Sequence, residues 1–266
     1  MRQKSWHAKI LMTKDRTGVH ALMNRKDRLY EKEISETGDF VFDDRVVRVF
    51  PDMINRSVPG YSLVVPMIGM LARQYAQPGT NLYDLGCSLG AASLAMRDTV
   101  QAGDIRIWAV DNSEEMIQQF RTTLQTNKRD GLPGIELLHQ DVLDTPIENA
   151  SVVVLNFTLQ FLAPQTRFGL IKRIRQGLNN GGILVLSEKI RFEDPVEQAL
   201  QTRWHHEFKR SQGYSELEIA RKRDALENVM KPDSMQQHRD RLHEAGFRHV
   251  CQWFQGFNFI SLVAFG

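Results

Sequence analysis

The chain has 266 residues, of which 42% are hydrophobic and 25% charged, with a formal net charge of +2. These values fit one large globular domain. They exclude a polycation built around nucleic acid, so no direct nucleic-acid binding is expected of the fold. Two cysteines, Cys87 and Cys251, give neither a disulfide framework nor a zinc-ligand spacing, which predicts a reducing, cytoplasmic setting. No apolar run reaches the length of a membrane span, and no membrane association is expected.

The first 34 residues carry nine basic side chains against four acidic ones. Residues 1–38 therefore read as a basic extension, poorly ordered in part, with an electrostatic RNA tether as the sharper alternative. It holds no apolar run of the kind a secretory signal needs. Residues 39–266 read as a single domain.

In chain order, 44–56 has the pattern of an amphipathic helix, with Val46, Val49, Phe50, Met53 and Ile54 on one face. The stretch SVPGYS breaks it, and a second helix is expected over 62–76. Strand and helix then alternate. Strands are predicted at 81–85, 105–110, 135–139, 151–156 and 182–187, and helices at 89–101, 114–126 and 165–178. That order implies a parallel sheet covered on both faces. A charge-rich helical insertion of two helices fills about 195–230. A helix at 234–244, bounded by Asp233 and Gly246, resumes the pattern. Strands 248–254 and 258–265, joined by a glycine turn, should form an antiparallel hairpin. The expected fold is α/β, of the class I S-adenosylmethionine-dependent methyltransferase (Rossmann-like) type: a mostly parallel seven-stranded sheet with a terminal antiparallel hairpin and a helical insertion.

Four segments carry candidate chemistry. In YDLGCSLGAASL, the small residues Gly86, Ser88 and Gly90 around Cys87 allow close backbone approach to a ligand at a helix N-terminus. Ser88 stands where the dinucleotide fingerprint has its middle glycine. Asp84 would repel a pyrophosphate but suits the amino group of a methionine moiety. Asp111 follows the second strand about 20 residues on, where an acid accepts from ribose hydroxyls; Asn112 is beside it, and Ser113 can cap the next helix. Asp141 and Val142, after the third strand, suit an adenine amino group and ring. Asn156, at the end of a buried strand, should face the reactive end of the ligand. His205 and His206 are adjacent on a helix and so point about 100° apart, which argues against a metal site; no metal is expected.

Further stretches match a known pattern: VFPDMINRSVPGYS, DNS, ENASVVVLNFTLQFL, LVLSEK, FKRSQGYSELEI, ALENVM and WFQGFNF. With the loop above, they resemble the carboxy-S-adenosyl-L-methionine synthase family of bacterial tRNA modification, over nearly the whole chain from about residue 39. The resemblance implies a homodimer that converts S-adenosylmethionine and prephenate to carboxy-S-adenosylmethionine, phenylpyruvate and water. It also implies a functional link to a tRNA carboxymethyltransferase acting on a hydroxylated wobble uridine. By motif, the ligand contacts implied are Tyr61, Gly86, Cys87, Ser88, Asp111, Asn112, Asp141, Val142, Asn156 and Arg223. Tyr61 would close over the methionine end, and Tyr61, Asn156 and Arg223 would serve the reaction. Arg223 can bind the new carboxylate bidentately, although its own surroundings, ARKRDALEN, read as a solvated charged helix.

The resemblance also explains the lack of a conspicuous general base, since loss of the prephenate hydroxyl supplies one. Arg203, Lys209, Arg210 and Lys222 are further candidates for holding prephenate's carboxylates. Three departures accompany it: residues 1–22 precede a familial start at Met23, and Gly256 and Ile260 replace a cysteine and a glycine of the hairpin. An ordinary methyltransferase of a small acid or RNA, and a non-catalytic S-adenosylmethionine-binding partner protein, remain alternatives. A nicotinamide enzyme lacks its full glycine fingerprint.

Overall fold

A computed structural model describes Asp27 and residues 44–101, 103–227 and 229–266. The rest of the expected N-terminal extension lies outside the described residues, including Met23. Asp27 itself is buried: its N–H donates to Asp52 Oδ2 at 2.6 Å, and Tyr214 Oη donates to its carboxylate.

The expected helix over 44–56 is two pieces, α1 (Asp44–Val47) and α2 (Phe50–Ser57). Pro51 is the reason. It has no N–H to continue a preceding helix, but its fixed φ suits the first turn of a new one. α3 (Tyr61–Tyr75) begins after Gly60, whose φ is +78°. A side chain at Gly60 would also meet the Phe254 ring at 2.3 Å.

The alternating units follow: β1 (Asn81–Leu85), α4 (Ala91–Thr99), β2 (Arg106–Asp111), α5 (Glu114–Thr126), β3 (Gly134–His139) and β4 (Ala150–Asn156). A single 3₁₀ turn (Leu159–Phe161) leads to α6 (Pro164–Gly177) and β5 (Leu178–Lys189). The insertion is α7 (Pro195–Ser211) and α8 (Glu216–Glu227), separated at Gly213, which has φ +85°. Then come α9 (Met235–Glu244), β6 (His249–Gly256) and β7 (Phe259–Phe265). The cap of α9 is Ser234, which forms a capping box with Gln237, and not Asp233. Asp233 instead accepts from Arg167 and Arg241, each at 2.7 Å.

The seven strands lie in the order β3-β2-β1-β4-β5-β7-β6. β1 to β5 pair in parallel and β7 runs antiparallel between β5 and β6. β4 shows how the pattern of period two serves two faces. Its Val152 and Val154 pack with Val64, Ile68 and Met96 of α3 and α4. Its Val153 and Leu155 pack with Leu170, Ile171 and Ile174 of α6. All these side chains are buried, each contributing roughly 1.5–3 kcal/mol. β5 begins four residues earlier than its apolar run, because Leu178 also pairs with Ala150 across a register shift. The strand order reverses beside β1, and in open α/β sheets that switch point opens a crevice beyond the strands' C-terminal ends.

Candidate functional site

A cavity of about 940 Å³ lies at that crevice. Tyr61, Asp84, Gly86, Cys87, Ser88, Asp111, Asn112, Asp141, Val142 and Asn156 all line it, so the fold gathers ten of the eleven residues expected there. Arg223 is not among the lining residues. It sits on α8 with 61% of its side chain exposed and pairs with Asp224 at 3.0 Å. It is nonetheless near enough to His206 to help lower that imidazole's pKa, after the larger effects of burial, Lys209, Lys189 and Arg210.

Asp84, at the end of β1, is buried, and its Oδ2 accepts from the Ser93 N–H at 2.9 Å and the Ser93 hydroxyl at 2.6 Å. Oδ1 has no protein donor among the described residues. Burial, opposed by those two bonds, pushes the carboxyl up to about 6. Asp111 accepts from the Ser88 N–H through Oδ2 (2.8 Å) and from the Ser113 N–H through Oδ1 (2.9 Å). It thus joins the loop after β1 to the start of α5, where Ser113 caps the helix through Met116 N at 3.2 Å. Burial raises its pKa despite these donors. Asp141 shapes its own turn by accepting from Leu143 N at 2.8 Å while lining the cavity. Burial, then the charges of Asp84 and Asp111, push the Cys87 thiol well up, so it is no nucleophile here.

Of the two loop glycines, Gly86 lines the cavity as expected and Gly90 does not. Both adopt left-handed conformations, with φ +81° at Gly86 and +80° at Gly90. A Cβ at Gly86 would lie 2.3 Å from Thr158 Oγ1 and one at Gly90 2.0 Å from Phe120 Cζ. Gly90 does not line the cavity, so its smallness serves the packing of Phe120 under the loop and not the approach of a ligand.

After β4 the chain turns sharply through Phe157, at φ +63°. Buried Glu188 holds that turn by accepting from Leu159 N at 2.8 Å and Gln160 N at 2.9 Å. Burial raises Glu188 to about 8, against the pull of those donors and of Arg167. Asn156 Oδ1 is buried in this turn region without a donor. An orphan acceptor on a cavity wall, beside a carboxylate with an undonated oxygen, fits a ligand rich in N–H and O–H donors.

Beside these groups stand residues to which the sequence assigned no ligand role, although His205 was weighed as a metal ligand. Lys189, His205, Phe157, Thr158 and Phe259 line the cavity, with Lys209, a minor candidate, among them. His205 donates through Nε2 to Ser57 O at 2.8 Å. Of the other candidates for carboxylate binding, Arg203 is exposed, Arg210 pairs with Glu207 and Glu216, and the Lys222 side chain lies outside the described residues. A signal for Lys189 was present: it ends β5 as Asn156 ends β4, on the rim where α/β sheets bind ligands. Among the described residues no group of three or more His, Cys, Asp or Glu could hold a metal ion, and no helix is long and apolar enough to cross a membrane.

Residues 82–182 match a family described as a methyltransferase domain. A carboxy-S-adenosyl-L-methionine synthase of Geobacter sp. (strain M21) is 54% identical over 244 residues, covering 91% of this chain and all of the relative. One of Escherichia fergusonii is 54% identical over 242 residues, covering 91% and 97%. Among solved structures, human N-acetylserotonin methyltransferase in complex with S-adenosylmethionine aligns with a TM-score of 0.56 at 17% identity, over 83% of this chain and 54% of that one. A putative O-methyltransferase from Nostoc punctiforme aligns at 0.57 and 12% identity, over 84% and 59%. This chain spans little more than half of either structure, and at such identities the likeness establishes the class I methyltransferase fold alone.

Proposed function

The chain belongs to the carboxy-S-adenosyl-L-methionine synthase family, and from that premise we propose that its cavity turns S-adenosylmethionine and prephenate into carboxy-S-adenosylmethionine, phenylpyruvate and water. The observation that carries this reading is the 54% identity over 91% of the chain, far more of it than the methyltransferase domain at 82–182 spans.

The residues fit the adenosyl ligand. Asp84 takes the methionine ammonium, Asp111 and Asn112 the ribose, and Asp141 with the Val142 N–H the adenine. The Gly86-Cys87-Ser88 backbone lies along the ligand, with Asn156 and Tyr61 at its reactive end. When bound, the sulfonium makes its methyl group weakly acidic and able to attack carbon dioxide released from prephenate. As prephenate's ring carboxylate leaves, its bonding electrons aromatise the ring and expel the hydroxyl, which carries off the methyl proton as water. The chain's task is to hold both reactants and exclude bulk water. Arg223, the eleventh expected residue, would grip the new carboxylate. Since it lies off the cavity of its own chain, that role requires a shift of α8 or a second copy, consistent with a homodimer. A cytoplasmic setting and supply of the product to a tRNA carboxymethyltransferase complete the reading.

Mass spectrometry of small molecules released from the denatured, freshly purified protein tests it, together with turnover of prephenate. Carboxy-S-adenosylmethionine and phenylpyruvate are expected. Methyl transfer yielding S-adenosylhomocysteine would instead make this an ordinary methyltransferase.

A further inference from the structure

The carboxylates and lysines of the cavity are divided along the sheet, while Arg48, the third cation of its lining, comes from the segment between α1 and α2. The acids stand on one half: Asp84 is next to last in β1, Asp111 ends β2 and Asp141 follows β3. Asn156, at the end of β4, marks the middle. Lys189 ends β5 on the far side, and Lys209 joins it from α7. His205, also on α7, is close to both lysines, and burial and their charges hold it neutral. It therefore adds polarity but no charge to this half.

A row of rings connects the two halves. Tyr61 and Phe157 lie 6.2 Å apart between centroids, Phe157 and Phe259 5.9 Å, and Phe259 and His205 5.0 Å. All four line the cavity. Its volume is at the upper end of the range for small-molecule sites, enough for a second reactant beside an adenosyl ligand. A wall of rings ending in ammonium groups suits a small ring-bearing carboxylic acid.

We propose that Lys189 and Lys209 hold the second substrate by a carboxylate, and that this is the carboxylate retained in the oxoacid product. The proposal rests on the reaction given above. The choice between prephenate's two carboxylates follows from charge. A departing carboxylate loses its charge as carbon dioxide forms, so an ammonium contact would stabilise the ground state more than the transition state and slow the step. The retained carboxylate is an anion throughout, and gripping it costs the chemistry nothing. The leaving carboxylate then faces the apolar row of Phe157 and Phe259, where a charged group is disfavoured relative to neutral carbon dioxide. The lysines thus contribute equally to ground and transition states, which places their effect on KM and not on kcat.

The test is steady-state turnover of prephenate by wild type, Lys189→Met, Lys209→Met and Lys189→Arg, with calorimetry of S-adenosylmethionine binding for each. Each methionine variant should raise the KM for prephenate by roughly 30-fold or more. Its kcat and its S-adenosylmethionine affinity should stay within about threefold of wild type. Product inhibition by phenylpyruvate should weaken in parallel, since phenylpyruvate keeps only the retained carboxylate. Lys189→Arg should restore most of the KM. An unchanged KM in both methionine variants, or a fall in kcat with KM fixed, would overturn the assignment. Failure of the wild type to turn over prephenate at all would instead sink the reaction itself, and S-adenosylmethionine binding by the variants shows that they are folded.

Discussion

The Ser88 N–H donates to Asp111 Oδ2 at 2.8 Å, so the loop after β1 is fastened to the end of β2 by a side chain that also lines the cavity. Asp111 therefore positions one part of the cavity wall while forming another. Asp111→Ala should weaken S-adenosylmethionine binding by roughly 1.5–3 kcal/mol, the worth of a charge-assisted hydrogen bond, without changing which product forms. It should also lower the melting temperature of the free protein, because two backbone donors lose their acceptor. Calorimetry and a thermal melt read the two effects separately. A lower melting temperature with unchanged affinity would leave Asp111 as a structural clasp alone.

Asp84 links ligand binding to pH. Burial sets its carboxyl at about 6 in the free protein, above the ordinary value of 3.8. Folding therefore takes up a proton between about pH 4 and 6, and Asp84's contribution to stability is present below pH 4 and lost as pH rises through 6. An ammonium ligand needs the ionised carboxylate, so its dependence runs the other way. Affinity should be level above about pH 7 and fall up to tenfold for each unit below 6. Asp84→Asn should bind weakly at every pH and lose that slope. Titration calorimetry between pH 5 and 8 decides it, and a slope that survives in the variant would assign the proton to another group.

Gly90 meets two independent constraints: a φ of +80° and a Phe120 ring 2.0 Å from where a Cβ would stand. A left-handed non-glycine residue costs about 1–3 kcal/mol, and overpacking a core about 1–3 kcal/mol more. Gly90→Ala should thus destabilise the protein by roughly 2–6 kcal/mol, seen as a lower urea midpoint. Adding Phe120→Leu should recover part of the packing component and none of the backbone component. Full recovery would mean that the backbone carries no strain.

Local signals in the sequence located the elements well. β1 spans Asn81–Leu85 and α5 Glu114–Thr126, as the apolar periodicity and the Ser113 cap predict. The misses have local physical causes as well. Pro51 restarts a helix within an unbroken apolar pattern, and Ser234 caps α9 because Asp233 is committed to Arg167 and Arg241. The acidic half of the cavity was legible because Asp84, Asp111 and Asp141 lie at or just beyond the C-terminal ends of β1, β2 and β3, on the rim where α/β sheets bind ligands. Of the cationic half the sequence singles out only Lys209, as a minor candidate, and passes over Lys189. Lys189 and Lys209 come from a strand end and a helix, and their proximity exists only once α7 packs over the sheet. Gly90 misled for a related reason, since Phe120, which requires it, is 30 positions away.

Arg223 poses the remaining question of geometry. Its side chain is 61% exposed and paired with Asp224, while its expected partner, the new carboxylate, would sit in a cavity that it does not line. Arg223→Ala should cost the carboxylated ligand roughly 30-fold or more in affinity, as truncating one side of a desolvated charge pair does. S-adenosylmethionine, which has no carboxylate on its methyl carbon, should lose little. Arg223→Lys should rescue only in part, because an ammonium lacks the planar fork. Mixing subunits shows whose site Arg223 serves. In a mixed dimer of Asp111→Ala and Arg223→Ala chains, an arginine that reaches across leaves one site with both residues intact. With random pairing, about a quarter of all sites should bind the carboxylated ligand with wild-type affinity on mixing. An arginine that serves its own chain leaves every site defective, and mixing would restore nothing. If neither ligand loses affinity in Arg223→Ala, the carboxylate is held elsewhere and the Asp224 pair is all that this side chain does.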